Sequence, residues 1–145
     1  MSPDALSLGA VGLATIGVVY LLFTKHLFAV GPIGITVQVV AAALMLWARI
    51  TFGRRSFHAT ASPTAGGLVT HGPYRLLRHP IYASLVYFVW AGVLSAPRAD
   101  SVGAAACFTA CLIGRMLLEE RLLRQRYEGY RQYAAGTKRL IPFLF

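Results

Sequence analysis

An all-helical integral membrane protein is the fold class predicted by this 145-residue sequence, and three observations predict it. Hydrophobic residues make up 57% of the chain against 13% charged, with a mean hydropathy of +0.60. One domain of this size cannot cover so much apolar surface by itself, so the bilayer is its solvent. The apolar residues also gather into four long runs, and the cations gather between and after them. A net charge of +9 could indicate nucleic acid, but cations massed beside apolar runs fit a membrane surface, so no nucleic-acid partner is expected.

Ala5 to Thr24 carries no charge and is long enough for one crossing, which takes about 20 apolar residues. The preceding Met-Ser-Pro-Asp lacks the cation of a signal peptide, and no cleavage pattern stands out. Gly9, Gly12 and Gly17 permit close contacts along this helix. Leu27 to Ala48 is a second uncharged run, and Pro32 near its start suits an early helical turn, where a missing N–H costs little. Lys25 and His26 form the polar centre of the tight loop between the two runs.

Ile81 to Ala96 is a third apolar run, closed by Pro97, Arg98 and Asp100. Ser101 to Leu118 is a fourth, broken only by Arg115. Both are short for full crossings and fit a tilted or partly buried helical hairpin. The expectation is a single domain over 1–145 with about four transmembrane helices, at 5–24, 27–48, 81–96 and 101–118. A polar loop over 49–80 and a tail over 119–145 complete it. Cys107 and Cys111 stand four apart in an apolar run, a spacing that suits helix packing and gives no reason to expect a metal site or disulfide.

Charge sets the orientation. All 14 Lys and Arg residues except Lys25 and Arg98 lie in the second loop, at the inner end of the fourth run, or in the tail. The positive-inside rule then places that loop, the tail and both termini in the cytoplasm.

Candidate chemistry clusters around two stretches. In THGPYRLLRHPIYAS, residues 70–84, Pro73 and Pro80 fix φ and restrain the residues before them, so 71–80 reads as a shaped loop. Pro80 suits the first position of the third helix. Such a loop can present backbone groups and the rings of Tyr74 and Tyr82 to a ligand. Binding of anionic lipids would account for Arg75 and Arg78, but it needs neither the prolines nor the tyrosines. In GRMLLEERLL, Arg115 and Glu119 share a helix face one turn apart. An ionisable group at membrane depth faces a polar cavity or a partner, although snorkelling to the headgroups is the plainer reading of Arg115. From Leu122 onward, Leu122, Leu123, Tyr127, Tyr130 and Tyr133 fall at helical intervals among arginines, the pattern of an amphipathic surface helix. Arg139-Leu140-Ile141-Pro142 would end it in a pinned, cationic turn.

The order Gly72, Tyr74, Arg78-His79-Pro80, Tyr82, then Arg115, Glu119-Glu120, Leu123, then Tyr130, Tyr133, then Arg139, Ile141, Pro142 resembles the isoprenylcysteine carboxyl methyltransferases and phospholipid methyltransferases. LVTHGPYR resembles that family's lead-in, and the likeness covers about residues 50–145, the first two helices matching only as generic spans. It implies methyl transfer from S-adenosylmethionine to a lipophilic small-molecule or lipid-modified acceptor. Carried over by position, Gly66, Gly67, Leu68, Val69, Tyr74, His79, Pro80, Ile81, Tyr82 and Glu119 would line the cofactor site. Arg115 would bind or orient the acceptor, with Arg139 also on the acceptor side, and Glu120 would accept a proton from an amine acceptor. Ser84 stands where the family usually has glycine, and Gly136-Thr137 where the carboxyl methyltransferases tend to have Arg-Val. The alternatives are a basic membrane scaffold or lipid-binding protein, which needs only the positive charge of loop and tail, and a degenerate family member.

Overall fold

The computed structural model describes residues 3–53, 67–142 and 144, and every described helix begins or ends where the sequence supplies a reason. Helix α1 spans Pro3–Phe23 and α2 spans Pro32–Phe52. A 3-10 turn at Gly72–Arg75 leads to α3, Pro80–Ser95, and α4 follows at Ala99–Arg126. The short α5, Tyr130–Gly136, precedes the tail. No strand forms among the described residues beyond a single parallel bridge between Leu77 and Lys138.

Proline opens α2 and α3 at or next to the first position, where its fixed φ fits and no donor is lost. At the end of α1, Lys25 takes φ 61, which lets the His26 and Leu27 amides bond back to the Leu21 carbonyl. The Gly53 amide closes α2 onto Arg49 from φ 71. The Ser101 hydroxyl and the Arg98 backbone exchange hydrogen bonds at the start of α4, with Asp100 in its first turn and Arg124 and Arg126 in its last. Those signs suit the helix dipole at both ends.

Two differences from the expected elements have a common cause. The second run was expected to begin its helix at Leu27, yet residues 27–31 form a loop and the helix starts at Pro32. Apolar character marks what can face lipid; Gly31 and Pro32 mark where helical hydrogen bonding can begin. The fourth run was expected to stop at Leu118 before a separate amphipathic helix from Leu122. Instead α4 continues through Leu122 and Leu123 to Arg126, and only Tyr130 and Tyr133 belong to the next helix. Leu, Glu and Arg are strong helix formers, and Glu120 pairs with Arg124 one turn on, so the change to polar residues does not break the helix.

Among the described residues, three helices are long and apolar enough to cross a membrane: Ala5–Phe23, Pro32–Phe52 and Ala99–Arg126. The third expected crossing is the shorter Pro80–Ser95, whose 16 residues rise about 24 Å against a hydrocarbon core of about 30 Å. Leu13, Ile16, Ile33, Val39, Val40 and Ile50 are exposed, the surface a bilayer would cover.

Packing pairs α1 with α4 and α2 with α3. Ala14 and Leu21 meet Ala105, Phe108 and Leu112, and Val89 and Val93 join the same core. Gln38 stitches the other pair together. Its Nε2 donates to the Leu27 carbonyl at 2.8 Å and the Phe88 carbonyl at 3.0 Å, while its Oε1 accepts from the Ala29 amide. Gly92 of α3 lies so close to the loop that an added Cβ would collide with the Leu27 carbonyl.

Candidate active site

The tail and the 70–84 stretch are laid side by side by backbone bonds. The Arg78 amide donates to the Lys138 carbonyl at 2.6 Å, the His79 amide to the Arg139 carbonyl, and the Lys138 amide to the Leu76 carbonyl. Leu77, Ala83, Met116 and Leu140 form a buried cluster beneath them, so loop, α3, α4 and tail share one small core. The Tyr87 hydroxyl donates to the Leu140 carbonyl, and the Tyr133 hydroxyl to the Tyr74 carbonyl at 2.7 Å. Burial pushes the Tyr133 phenol up to about 12, with the Arg78 charge pulling the other way, so it remains a donor.

Below this clasp runs a chain of polar side chains. Arg115 is only 8% exposed although its helix carries no charge from Ser101 up to that point. Its Nε donates to the Tyr82 hydroxyl at 2.7 Å, and that hydroxyl donates to Glu119 Oε2 at 2.9 Å. The two charged residues that share a face of α4 are thus joined through a phenol from α3. Arg115 Nη1 donates to the Ser7 hydroxyl of α1 at 2.6 Å, and Ser7 is itself buried. His79 stacks on Tyr82 with ring centroids 5.5 Å apart and completes one wall.

Glu120 occupies a different position. It is buried, and it receives Arg78 Nε at 3.0 Å, Arg139 Nε at 3.2 Å, His79 Nε2 at 3.3 Å and Arg124 Nη2 at 3.5 Å. A buried carboxylate is tolerable only with such partners, and removing one side of the arrangement leaves an uncompensated charge. Arg78 also donates to the carbonyls of Ala134 and Thr137. Its side chain is 9% exposed, so the reading of Arg78 as a surface cation for lipid does not hold.

The remaining expected residues fall around this centre. Gly66 lies outside the described residues. Gly67 takes φ +82, a conformation that glycine adopts without strain, and Leu68 is half-buried. Val69 and Tyr74 are buried against Ala48, with Ile81 alongside and Phe52 stacked on Tyr74 at 5.6 Å. Burial and then the Glu119 charge push the Tyr74 phenol well above the ordinary range, which puts this cluster within electrostatic reach of the polar chain. Pro80 is buried at the start of α3. Ser84 is buried too, its hydroxyl turned back to the Ile81 carbonyl at 2.7 Å. At the second departure, the Gly136 side is open while Thr137 is buried and lends its carbonyl to Arg78.

Two residues escaped the sequence reading. Ser7 is a lone serine in an apolar run, with no spacing that ties it to Arg115. Arg78 was legible in principle, since it sits inside the Arg-His-Pro run, but one cation among many carries no sign of burial.

Comparison with known proteins gives the chain a family. The profile of the family described as phospholipid methyltransferase matches residues 27–129. That range takes in the second helix, which the sequence motifs had left as a generic span, and stops short of Tyr133 and the Arg139–Pro142 turn. The chain is 31% identical over 124 residues to protein-S-isoprenylcysteine O-methyltransferase A of Arabidopsis thaliana, a match covering 83% of this chain and 63% of that protein. It is 27% identical over 124 residues to "Probable protein-S-isoprenylcysteine O-methyltransferase" of Oryza sativa subsp. indica, covering 83% and 65%. The chain therefore spans just under two thirds of the length of these relatives. No solved structure gives a significant match. With the matched range holding the Arg115–Tyr82–Glu119 chain and the Glu120 hub alike, the chain belongs to the phospholipid methyltransferase family.

Proposed function

We propose that this protein is an integral membrane enzyme that transfers a methyl group from S-adenosylmethionine to a lipophilic acceptor at the cytoplasmic face. The observation that carries the reading is the buried chain Ser7–Arg115–Tyr82–Glu119, a charged assembly far too costly at this depth to lack a purpose. In this reading the chain forms one membrane unit with four crossings, the short α3 seated where neighbouring helices thin the bilayer. Loop 49–80, tail 119–145 and both termini face the cytoplasm, in keeping with the distribution of Lys and Arg.

The residues fit the cofactor's chemistry. Glu119 spends Oε2 on Tyr82, and its Oε1 makes no hydrogen bond among the described residues, which leaves an acceptor for an ammonium or ribose hydroxyl. The stacked His79–Tyr82 pair offers a flat wall, and Gly67, Leu68, Val69, Tyr74, Pro80 and Ile81, with Gly66, are assigned to the same side. When bound, S-adenosylmethionine supplies a methyl group on a sulfonium centre, open to in-line displacement.

What remains for the protein is alignment and exclusion of water. Arg115 holds the polar end of the acceptor, its guanidinium braced by Ser7 on one side and Tyr82 on the other. A carboxylate or thiolate acceptor attacks without a base. An amine must first lose a proton, and Glu120 could take it only if its ring of donors opened, so Glu120 acts chiefly as the anchor joining loop, α4 and tail, with Arg139 as its partner on the acceptor side. The names of the relatives favour an isoprenylcysteine carboxylate as acceptor, and the family name a phospholipid amine.

Arg115→Ala separates these roles. Turnover in detergent or nanodiscs should fall by at least 100-fold, while affinity for S-adenosylhomocysteine stays within about twofold of wild type. Equal loss of both would show that Arg115 shapes the cofactor side, contrary to this assignment.

A further inference from the structure

The face of α4 opposite Arg115 and Glu119 carries a second constellation. At 100° per residue, Leu117, Arg121 and Arg124 point away from the Arg115–Glu119 edge, with Glu120 between the two faces. There they line a groove of about 410 Å³, closed by Arg131 of α5 and by Arg139 from the tail. That volume is within the range of small-molecule sites, and the groove is open-sided.

The charge balance in this groove is one-sided. Glu120 is the only acid lining it, and its carboxylate is already shared among Arg78, His79, Arg124 and Arg139. Among the described residues, Arg121 and Arg131 have no acidic partner, and the side chain of Arg124 is half exposed. Guanidinium forks match phosphate oxygens in pairs, whereas a carboxylate offers only one such edge. At the membrane-facing end, one turn before Arg121, Leu117 is 46% exposed. An apolar side chain beside a knot of arginines suits an amphiphile, with its phosphate among the cations and its first methylenes on Leu117.

We propose that this groove, which shares Glu120 and Arg139 with the loop–tail clasp, is a phosphate-binding site on the face of α4 opposite Arg115 and Glu119, taking the phosphate of an anionic lipid headgroup at the inner membrane boundary. It differs from diffuse attraction to anionic lipid in being saturable and in depending on particular arginines.

The test is a titration of purified protein in nanodiscs of phosphatidylcholine with rising phosphatidic acid, read by native mass spectrometry as lipids bound per protein. Inorganic phosphate runs as a soluble competitor. Wild type should hold one phosphatidic acid that saturates. Arg121→Gln with Arg131→Gln should weaken it about tenfold or more, and Arg75→Gln, an exposed cation of the 70–84 loop outside the groove, should leave it unchanged. All three substituted side chains are exposed, and unchanged thermal unfolding confirms that the variants are folded. Displacement by millimolar inorganic phosphate would assign the site to phosphate from either source; resistance to it would assign the site to the lipid-borne group. Non-saturating uptake, or equal weakening by Arg75→Gln, would overturn the proposal. No S-adenosyl ligand is present in this experiment, so its outcome is independent of the methyltransferase reading.

Discussion

Arg115 concentrates the problem this protein solves at the scale of a residue. A guanidinium beside lipid-facing helices must find acceptors inside the protein, and it finds a serine from α1 and a tyrosine from α3. Ser7 is therefore more than helix packing. Ser7→Ala removes one of the hydrogen bonds that hold the Arg115 guanidinium, a bond to a charged group worth about 1.5–3 kcal/mol. The expected outcome is a KM for the acceptor raised about tenfold with S-adenosylhomocysteine affinity unchanged, and Ser7→Thr should restore most of it. A fall in kcat alone, or a loss shared by Ser7→Thr, would reduce Ser7 to a structural contact. Tyr82, Glu119 and Arg115 were legible in the sequence because motif spacing and membrane depth both marked them. Ser7 was not, because its role depends on a helix packing across 108 residues of chain, and no local pattern records that.

Among the elements, hydropathy located the lipid-facing stretches well and the helix ends poorly. The second run is apolar from Leu27, but its first five residues fold into the loop that Gln38 and Gly92 hold against α3. The end of α4 was hidden for the opposite reason: the change from apolar to charged residues at Glu119 reads as an end, but helical propensity carries the helix on to Arg126. The proline-pinned loop was the most readable element, since Pro73 and Pro80 act through local geometry alone. Gly92 supplies a test at this scale. Gly92→Ala must push the Leu27 carbonyl away from α3, so stability in detergent should fall by about 1–3 kcal/mol, seen as a lower unfolding temperature. An unchanged unfolding temperature would mean that α3 and the 24–31 loop do not pack as described.

Across the whole molecule, two helix pairs support one clasp of loop and tail. The α1–α4 pair brings Ser7 and Arg115 together, the α2–α3 pair supports the loop through Ala48, Val69 and Tyr74, and Glu120 ties loop and tail to the end of α4. A scaffold needing only positive charge would have no use for a carboxylate at Glu119 held by a phenol from another helix. That residue also carries the most direct test: calorimetric titration of S-adenosylhomocysteine into the detergent-purified protein, with Glu119→Ala in parallel. The account predicts micromolar binding by the wild type and at least a tenfold loss in the variant. A folded wild type that takes up no S-adenosylhomocysteine, or a variant that binds it equally well, would contradict the assignment of this site.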